Sequence, residues 1–531
     1  DRFHANADRI VRVVHYANWA GGNLRLAPTS APFAGALASD YPEIEKTVRI
    51  QPEGGGLITY KDKKLNVDDI MFADRTMFDV FSFPFLYGDP ATALAQPQCI
   101  VLTKSLAEKL FGNAAKALGQ TVEFSNNFPN RVTGVIEGVP GRGTAANSHL
   151  QFSALRSFPD NYTSSWQNFE LYTYLLLTNG SDPKTLEAKL PGFYQKYLKK
   201  EMGQLTYRME LQPLTSIHLH SHLDFEISPN GTISTIYTFA VVAILILLIA
   251  GINYVNLYTV RAIARTREVG VRKAIGSQRG QLISQFLTES ILMAFMASVA
   301  GLFLANMFLP LFNEVAGKSF VISSYGPLIT SLMLVAFAVL LGLVSGLYPA
   351  LLLSGFKPVI ALRGQLANSG SGQFRQALVV FQFVAAVALI SCSWLIYRQM
   401  GYVTHKDLGF NKDQVLTFHL DGDDVRKQIQ ALKNELTKSP LIEQVAAASN
   451  PIGNNNIGTN GMFFEQNGVM PTSTQVVETF SVDADYLGTL QIRLLKGRNF
   501  TESVSDGTGS VLVNESLVKK MGWQEPIGKR V

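Results

Sequence analysis

Thr235-Ile-Tyr-Thr-Phe-Ala-Val-Val-Ala-Ile-Leu-Ile-Leu-Leu-Ile-Ala-Gly-Ile-Asn253-Tyr-Val-Asn256-Leu-Tyr258 contains no charged residue. It runs straight into Arg261-Ala-Ile-Ala-Arg265-Thr-Arg267-Glu268-Val-Gly270-Val-Arg272-Lys273-Ala-Ile-Gly276-Ser277-Gln-Arg279. An uncharged run of more than about 20 residues is long enough to cross the hydrocarbon core as a helix. The basic block behind it then belongs on the cytoplasmic side.

Three further charge-free stretches, Ser290 to Asn313, Ser319 to Phe356 and Gln376 to Tyr397, each supply one more helix. The fold class expected is a helical transmembrane bundle carrying mixed α+β extracytoplasmic domains. Residues 1–232 form the first external domain, and 233–363 hold three helices at about 235–258, 288–312 and 327–353 with a cytoplasmic loop 259–285. A linker at 364–375, a fourth helix at 376–398 and a second external domain at 399–531 complete the order. The loop 259–285 carries six Lys or Arg against one Glu, and 357–375 carries three with no acid, so both are cytoplasmic. A net charge of +5 is a mild excess that calls for no nucleic-acid partner.

Cys99 lies in an external segment and Cys392 inside the fourth apolar run, so they do not pair, and the external domains rely on core packing. A domain of this size does not reach the outer side unaided, so a transmembrane segment before Asp1 is expected. Cys99–Thr103, Arg131–Ile136 and Leu171–Leu177 read as strands, Lys104–Phe111 as a helix stopped by Gly112, Ser181–Lys200 as a helix, and Leu211–Leu219 as β.

An internal repeat organises the rest. Asp74, Phe85, Leu86 and Gly88 recur with the same spacing as Asp483, Leu494, Leu495 and Gly497, and Leu102–Gly112 parallels Val513–Gly522. The segment after Arg398 is therefore read as a second, incomplete copy of the first domain. Repeating the whole unit predicts eight helices in the full chain.

Basic residues at a helix end satisfy topology and lipid head groups by default. Here Glu268 inside the cluster, Gly270 and Gly276 punctuating it, and Ser277 as a cap predict more: a short helix at about 275–285 with Leu282, Ile283 and Phe286 on its apolar face. Asn253, Asn256 and Glu289 are polar residues near the inner ends of their spans, suited to helix–helix hydrogen bonds or to transport. Gly342, Ser345 and Gly346 permit close helix packing, and Pro349 a kink. His218, His220 and His222 alternate as on a strand, with Asp224 and Glu226 in phase. A flat strand spreads such side chains along a line, so no metal site is expected. No catalytic constellation is expected either.

Arg265-Thr-Arg267-Glu268-Val-Gly270-Val-Arg272-Lys273-Ala-Ile-Gly276-Ser277 with Gln285-Phe-Leu-Thr-Glu289-Ser290 resembles the cytoplasmic signature of the MacB/FtsX family of ABC transporter permeases. Asp1-Arg-Phe-His4, Asn147-Ser-His-Leu150, Gly346-Leu-Tyr348-Pro349-Ala350 and Phe374-Arg-Gln-Ala-Leu agree, the last being similar to the duplicated version in Bacteroidetes. The resemblance implies an inner-membrane permease with MacB-like periplasmic core domains. It implies a separate ABC ATPase dimer holding ATP and Mg, so that this chain binds no cofactor and is not itself an enzyme. In keeping, the sequence contains no Gly-x-x-x-x-Gly-Lys-Ser/Thr phosphate loop. Arg265, Arg267, Glu268, Gly270, Arg272, Lys273, Gly276, Ser277, Arg279 and Leu282 become the coupling residues, with the basic side chains and Glu268 on the ATPase or on lipid phosphates. Cargo would be exported or extracted at the periplasmic side by mechanotransmission. The alternative is an FtsX-like transducer regulating a periplasmic or cell-wall protein. Membrane lipids, a periplasmic adaptor or substrate protein, and a homodimer or pseudo-dimer are the remaining partners the resemblance brings.

Overall fold

The computed structural model describes all residues except 20–21, 125–127, 140–147, 160–161, 163–164, 167, 203–205, 317–319, 323–325, 356–370, 421–422, 451–458, 467, 472–474 and 502–508. Residues 1–139, 149–230 and 406–531 form one unit, and 140–148 with 231–405 the other.

In the part of the first unit before residue 231 the strands are β1 (Ile10–Trp19), β2 (Gly22–Leu26), β3 (Ile44–Tyr60), β4 (Lys63–Ala73), β5 (Phe85–Gly88), β6 (Cys99–Thr103), β7 (Thr121–Phe124), β8 (Phe128–Ile136), β9 (Ala154–Ser157), β10 (Tyr172–Leu177) and β11 (Thr206–Pro213). They make one mixed sheet ordered β11-β1-β10-β3-β4-β9-β6-β8-β5, with β2 on β1, and β7 on β3 and β8. All five residues of β6 are buried because it lies between β8, parallel, and β9, antiparallel. That placement is why the run is apolar without alternation. Helices α1 (Pro32–Asp40), α2 (Met77–Val80) and α3 (Lys104–Phe111) follow strands, and α3 ends at Gly112 in the left-handed conformation.

Two expectations fail here. Ser181–Lys200 is no single helix but α4 (Pro183–Glu187), α5 (Leu190–Phe193), a π turn at Tyr194–Leu198 and α6 (Lys199–Met202). Pro191, which lacks a donor and crowds the preceding turn, accounts for the break. Leu211–Leu219 is not β throughout. β11 ends at Pro213 and α7 (Leu214–His220) follows, burying Leu214 and Ile217 three residues apart. His218 and His220 therefore sit on a helix, and among the described residues no group of three or more His, Cys, Asp or Glu converges as metal ligands would. Glu226 is instead the partner of Arg12, a fully buried guanidinium that it meets at 2.6 and 2.9 Å.

The repeat is visible in the backbone. Asp74 N–H donates to Arg49 O at 3.1 Å while Arg49 N–H donates to Asp74 Oδ2 at 2.8 Å. In the second copy Asp483 N–H donates to Ala447 O at 3.1 Å and Ala447 N–H to Asp483 Oδ2 at 2.8 Å. A short helix follows each aspartate three residues later. The paired glycines Gly88 and Gly497, Gly112 and Gly522, and Gly119 and Gly528 all have positive φ.

In the second unit α8 (Ile233–Ala264), α9 (Thr266–Ala274), α10 (Arg279–Ala316), α11 (Pro327–Ser354) and α12 (Ser371–His405) follow in order. Four of them, α8 and α10 to α12, are long and apolar enough to cross a membrane. α8, α10 and α12 outrun the charge-free stretches within them, because a helix continues into water wherever no breaker intervenes, whereas α11 lies inside its stretch and starts at Pro327. Of the linker 364–375, residues 364–370 lie outside the described residues and 371–375 open α12. Gly342 and Gly346 bring α11 onto α10: a Cβ at either would lie 2.6 Å from an atom of Ile291 or Ser290.

Candidate functional site

The cytoplasmic connection is built differently from the expected helix at 275–285. The separate helix is α9, and 279–285 is already the start of α10. Between them is a tight stop: Gly276 N–H donates to Lys273 O, and Ser277 N–H to Arg272 O. Gly276 takes φ 105° at the point where such a stop requires a left-handed residue. Ser277 is not the cap of α10; the backbone N–H of Gln278 is met by Gln281 Oε1 at 3.0 Å instead.

Beneath α9 lies a small apolar core of Val269, Leu282, Phe286 and Ala350, with Tyr258, Ile283 and Leu287 around it. Leu282 and Phe286 fall on one side of α10, as their spacing predicts. Gly270 is buried as well.

A polar ladder runs beside this core. Tyr258 Oη on α8 donates to Glu289 Oε2 at 3.0 Å, and Arg265 reaches the same oxygen at 3.3 Å. Gln285 Nε2 donates to Glu289 Oε1, and Gln285 Oε1 accepts from Arg272 at 2.7 Å. Arg272 also donates to Glu268 at 2.7 Å. Lys273 Nζ donates to Ser354 O at 2.6 Å and Arg279 Nε to Ser354 Oγ at 3.3 Å, so α9 and α10 both grip the end of α11. Burial, and then the nearby Arg279 guanidinium, hold the Lys273 ammonium below the usual lysine range.

Arg265, Glu268, Arg272, Lys273 and Arg279 are thus braces within the bundle: Arg265 on Glu289, Arg272 with Glu268 on Gln285, and Lys273 and Arg279 on Ser354. Arg267 lies on α9 with its side chain outside the described residues. Asn253 is exposed on α8. Asn256 is half-buried, its Oδ1 enclosed without a hydrogen-bond partner among the described residues. Sequence reading missed Tyr258 and Ser354, and met Gln285 only as part of the quoted signature. The available signal was Tyr254 and Tyr258, one turn apart at the inner end of an apolar span; Tyr254 donates to Ser290.

Beside the exposed Arg272–Glu268 ion pair, apolar side chains are also exposed at the tip. Val271 is 47% and Ile275 81% exposed, and Ala274 beside them is exposed too.

Two family models match this chain: an FtsX-like permease C-terminal module over residues 240–358 and a MacB-like periplasmic core domain over residues 1–192. Among curated proteins it is 37% identical over 337 residues to the macrolide export ATP-binding/permease protein MacB of Bdellovibrio bacteriovorus, a match covering 60% of this chain and 47% of that protein. It is 25% identical to the protein of the same name from Agrobacterium fabrum, covering 52% and 39%. The chain spans about half the length, or less, of these relatives. Among solved structures, a domain of a putative permease protein from Porphyromonas gingivalis aligns at TM-score 0.36 and 19% identity, covering 45% of this chain and 99% of that domain. The periplasmic region of MacB from Actinobacillus actinomycetemcomitans aligns at 0.29 and 16%, covering 40% and 91%.

Proposed function

The chain belongs to the MacB/FtsX family of ABC transporter permeases, a multi-pass inner-membrane protein with periplasmic α+β domains, and on that premise we propose that it transmits the work of a separate ATPase dimer to those domains. ATP and Mg are held by the ATPase subunit. Cargo is exported or extracted at the periplasmic side.

The observation that carries this reading is the division of labour at α9. Arg272 bonds to Gln285 of α10 and Lys273 to the end of α11, whereas Val271 and Ala274 of α9 and Ile275 just after it are exposed. Apolar side chains left at the end of a rigid, braced element form an anchor for a complementary pocket. The ATPase grips that tip, and the ladder from Arg272 through Gln285 to Glu289 and Tyr258 carries its movement into α10 and α8. The four spans carry few charges inside the membrane, which suits a stalk better than a polar channel.

The test is co-purification of a tagged full-length chain. Wild type should retain an ABC ATPase subunit, and Ile275→Asp should lower that retention about tenfold by putting a charge into the apolar contact. Arg272→Glu acts on the brace instead. It should keep the ATPase bound but leave hydrolysis uncoupled from periplasmic activity. A chain that never retains an ATPase contradicts the reading.

A further inference from the structure

The first external domain has an open cleft of about 590 Å³ between the start of α1, the segment 73–76 after β4 and the stretch 94–97. That volume lies in the range that holds small organic molecules. Its charges are not balanced. Arg49 and Asp74 neutralise each other through a two-pronged pair, with Arg49 Nε 3.0 Å from Oδ2 and Arg49 NH2 2.8 Å from Oδ1. Arg75 also lines the cleft, is exposed, and has no ion pair among the described residues.

The second copy shows what closes such a cleft. Tyr41-Pro-Glu-Ile-Glu45 ahead of Arg49 aligns with Ser439-Pro-Leu-Ile-Glu443 ahead of Ala447. The same register places Gly35 of α1 opposite Lys433 on a helix spanning Ile429–Leu436. Ala447 brings no cation to Asp483. Lys433 brings it instead, its Nζ lying 2.7 Å from Asp483 and 2.5 Å from Asp485, and its side chain is buried there. In the first copy a Cβ at Gly35 would meet nothing within 4 Å. The position is empty because the cation arrives from β3. The residue matching Arg75 in the second copy is Ala484.

We propose that this cleft is a binding site for a small organic carboxylate, present in the first external domain and plugged by Lys433 in the second. Arg75 takes the carboxylate, and the partly exposed Pro32, backed by the buried Ala31 and Ala34, offers a small apolar surface for the rest of the molecule. The site is independent of how the cytoplasmic tip works.

The test uses the full chain in lipid nanodiscs and a panel of N-acetylated dipeptides with free carboxylates, each paired with its C-terminal amide, read by calorimetry. Wild type should bind carboxylates and reject amides. Gly35→Lys should weaken binding about tenfold or more while leaving thermal stability unchanged, since space for the side chain exists. Arg75→Gln should abolish the preference for carboxylate over amide. Lys433→Gly combined with Ala447→Arg and Ala484→Arg should open a second site and raise the number of molecules bound per chain. Wild type binding no member of the panel, carboxylates and amides binding equally, or Gly35→Lys binding as wild type does would each overturn the proposal.

Discussion

The buried imidazoles of the first external domain set a pH limit on it. His4 and His15 are nearly inaccessible, and burial, reinforced for His4 by His149 beside it, lowers each from 6.5 to about 3. His4 Nδ1 accepts the Ser82 amide at 3.0 Å, a role a protonated ring could not fill. Because the folded values are depressed, the unfolded chain takes up protons first as pH falls through 6.5. Stability is therefore complete above that value and declines until about 3. His4 and His15 should each cost about 1.2 kcal/mol between about pH 7 and pH 5.5, and because burial also holds His149 well below the usual range, thermal melting of the full chain in detergent across that range should show more than the sum of the two. His15→Gln should remove one share of the slope. Arg12→Met tests the buried pair: leaving Glu226 uncompensated should cost about 3–5 kcal/mol and raise hydrogen exchange in β1 and β10. Unchanged exchange would show that the pair does not hold the sheet. His15 and Arg12, both on β1, did not stand out in the sequence, because their burial is set by the β10-β1-β11 order and not by neighbours along the chain, and His4 was met only within Asp1-Arg-Phe-His4.

Close packing is tested where α11 meets α10. Gly346→Ile places a branched side chain where a Cβ alone already lies 2.6 Å from Ser290, and should destabilise the helix pair by about 1–3 kcal/mol, seen as a lower melting temperature in detergent. An unchanged melt would show that the helices separate at no cost. Gly342 and Gly346 were legible as a small-residue pair because the requirement is local. So were β6 and α3, whose apolar run, stripe and terminal glycine need no tertiary context. The strand expected at 211–219 failed because alternating histidines mimic a period of two, while burial of Leu214 and Ile217 obeys a helical one. The expected coupling helix was displaced for a related reason. Leu282 and Phe286 mark an apolar face correctly, but nothing after Arg279 stops the helix, so that face belongs to α10. The equivalence of Gly35 and Lys433 was hidden by a longer connection in the second copy, which separates Ala447 from Asp483 by more residues than Arg49 from Asp74.

At the scale of the molecule, we propose that the braced tip, the four membrane helices and the two external copies act together, with movement outside the membrane as their output. Glu108 on α3 and Lys519 on the helix Glu515–Met521 occupy matching exposed places in the two copies, so labels there report on that movement without touching either core. The most direct measurement is the distance between spin labels at Glu108→Cys and Lys519→Cys, in a Cys392→Ser background, for the chain purified with the ATPase subunit we propose as its partner. ATP should shift the distance distribution in the wild-type complex, and the shift should vanish with Arg272→Glu while ATP is still hydrolysed. A distribution unmoved by ATP in the wild-type complex during active hydrolysis would contradict transmission through the tip.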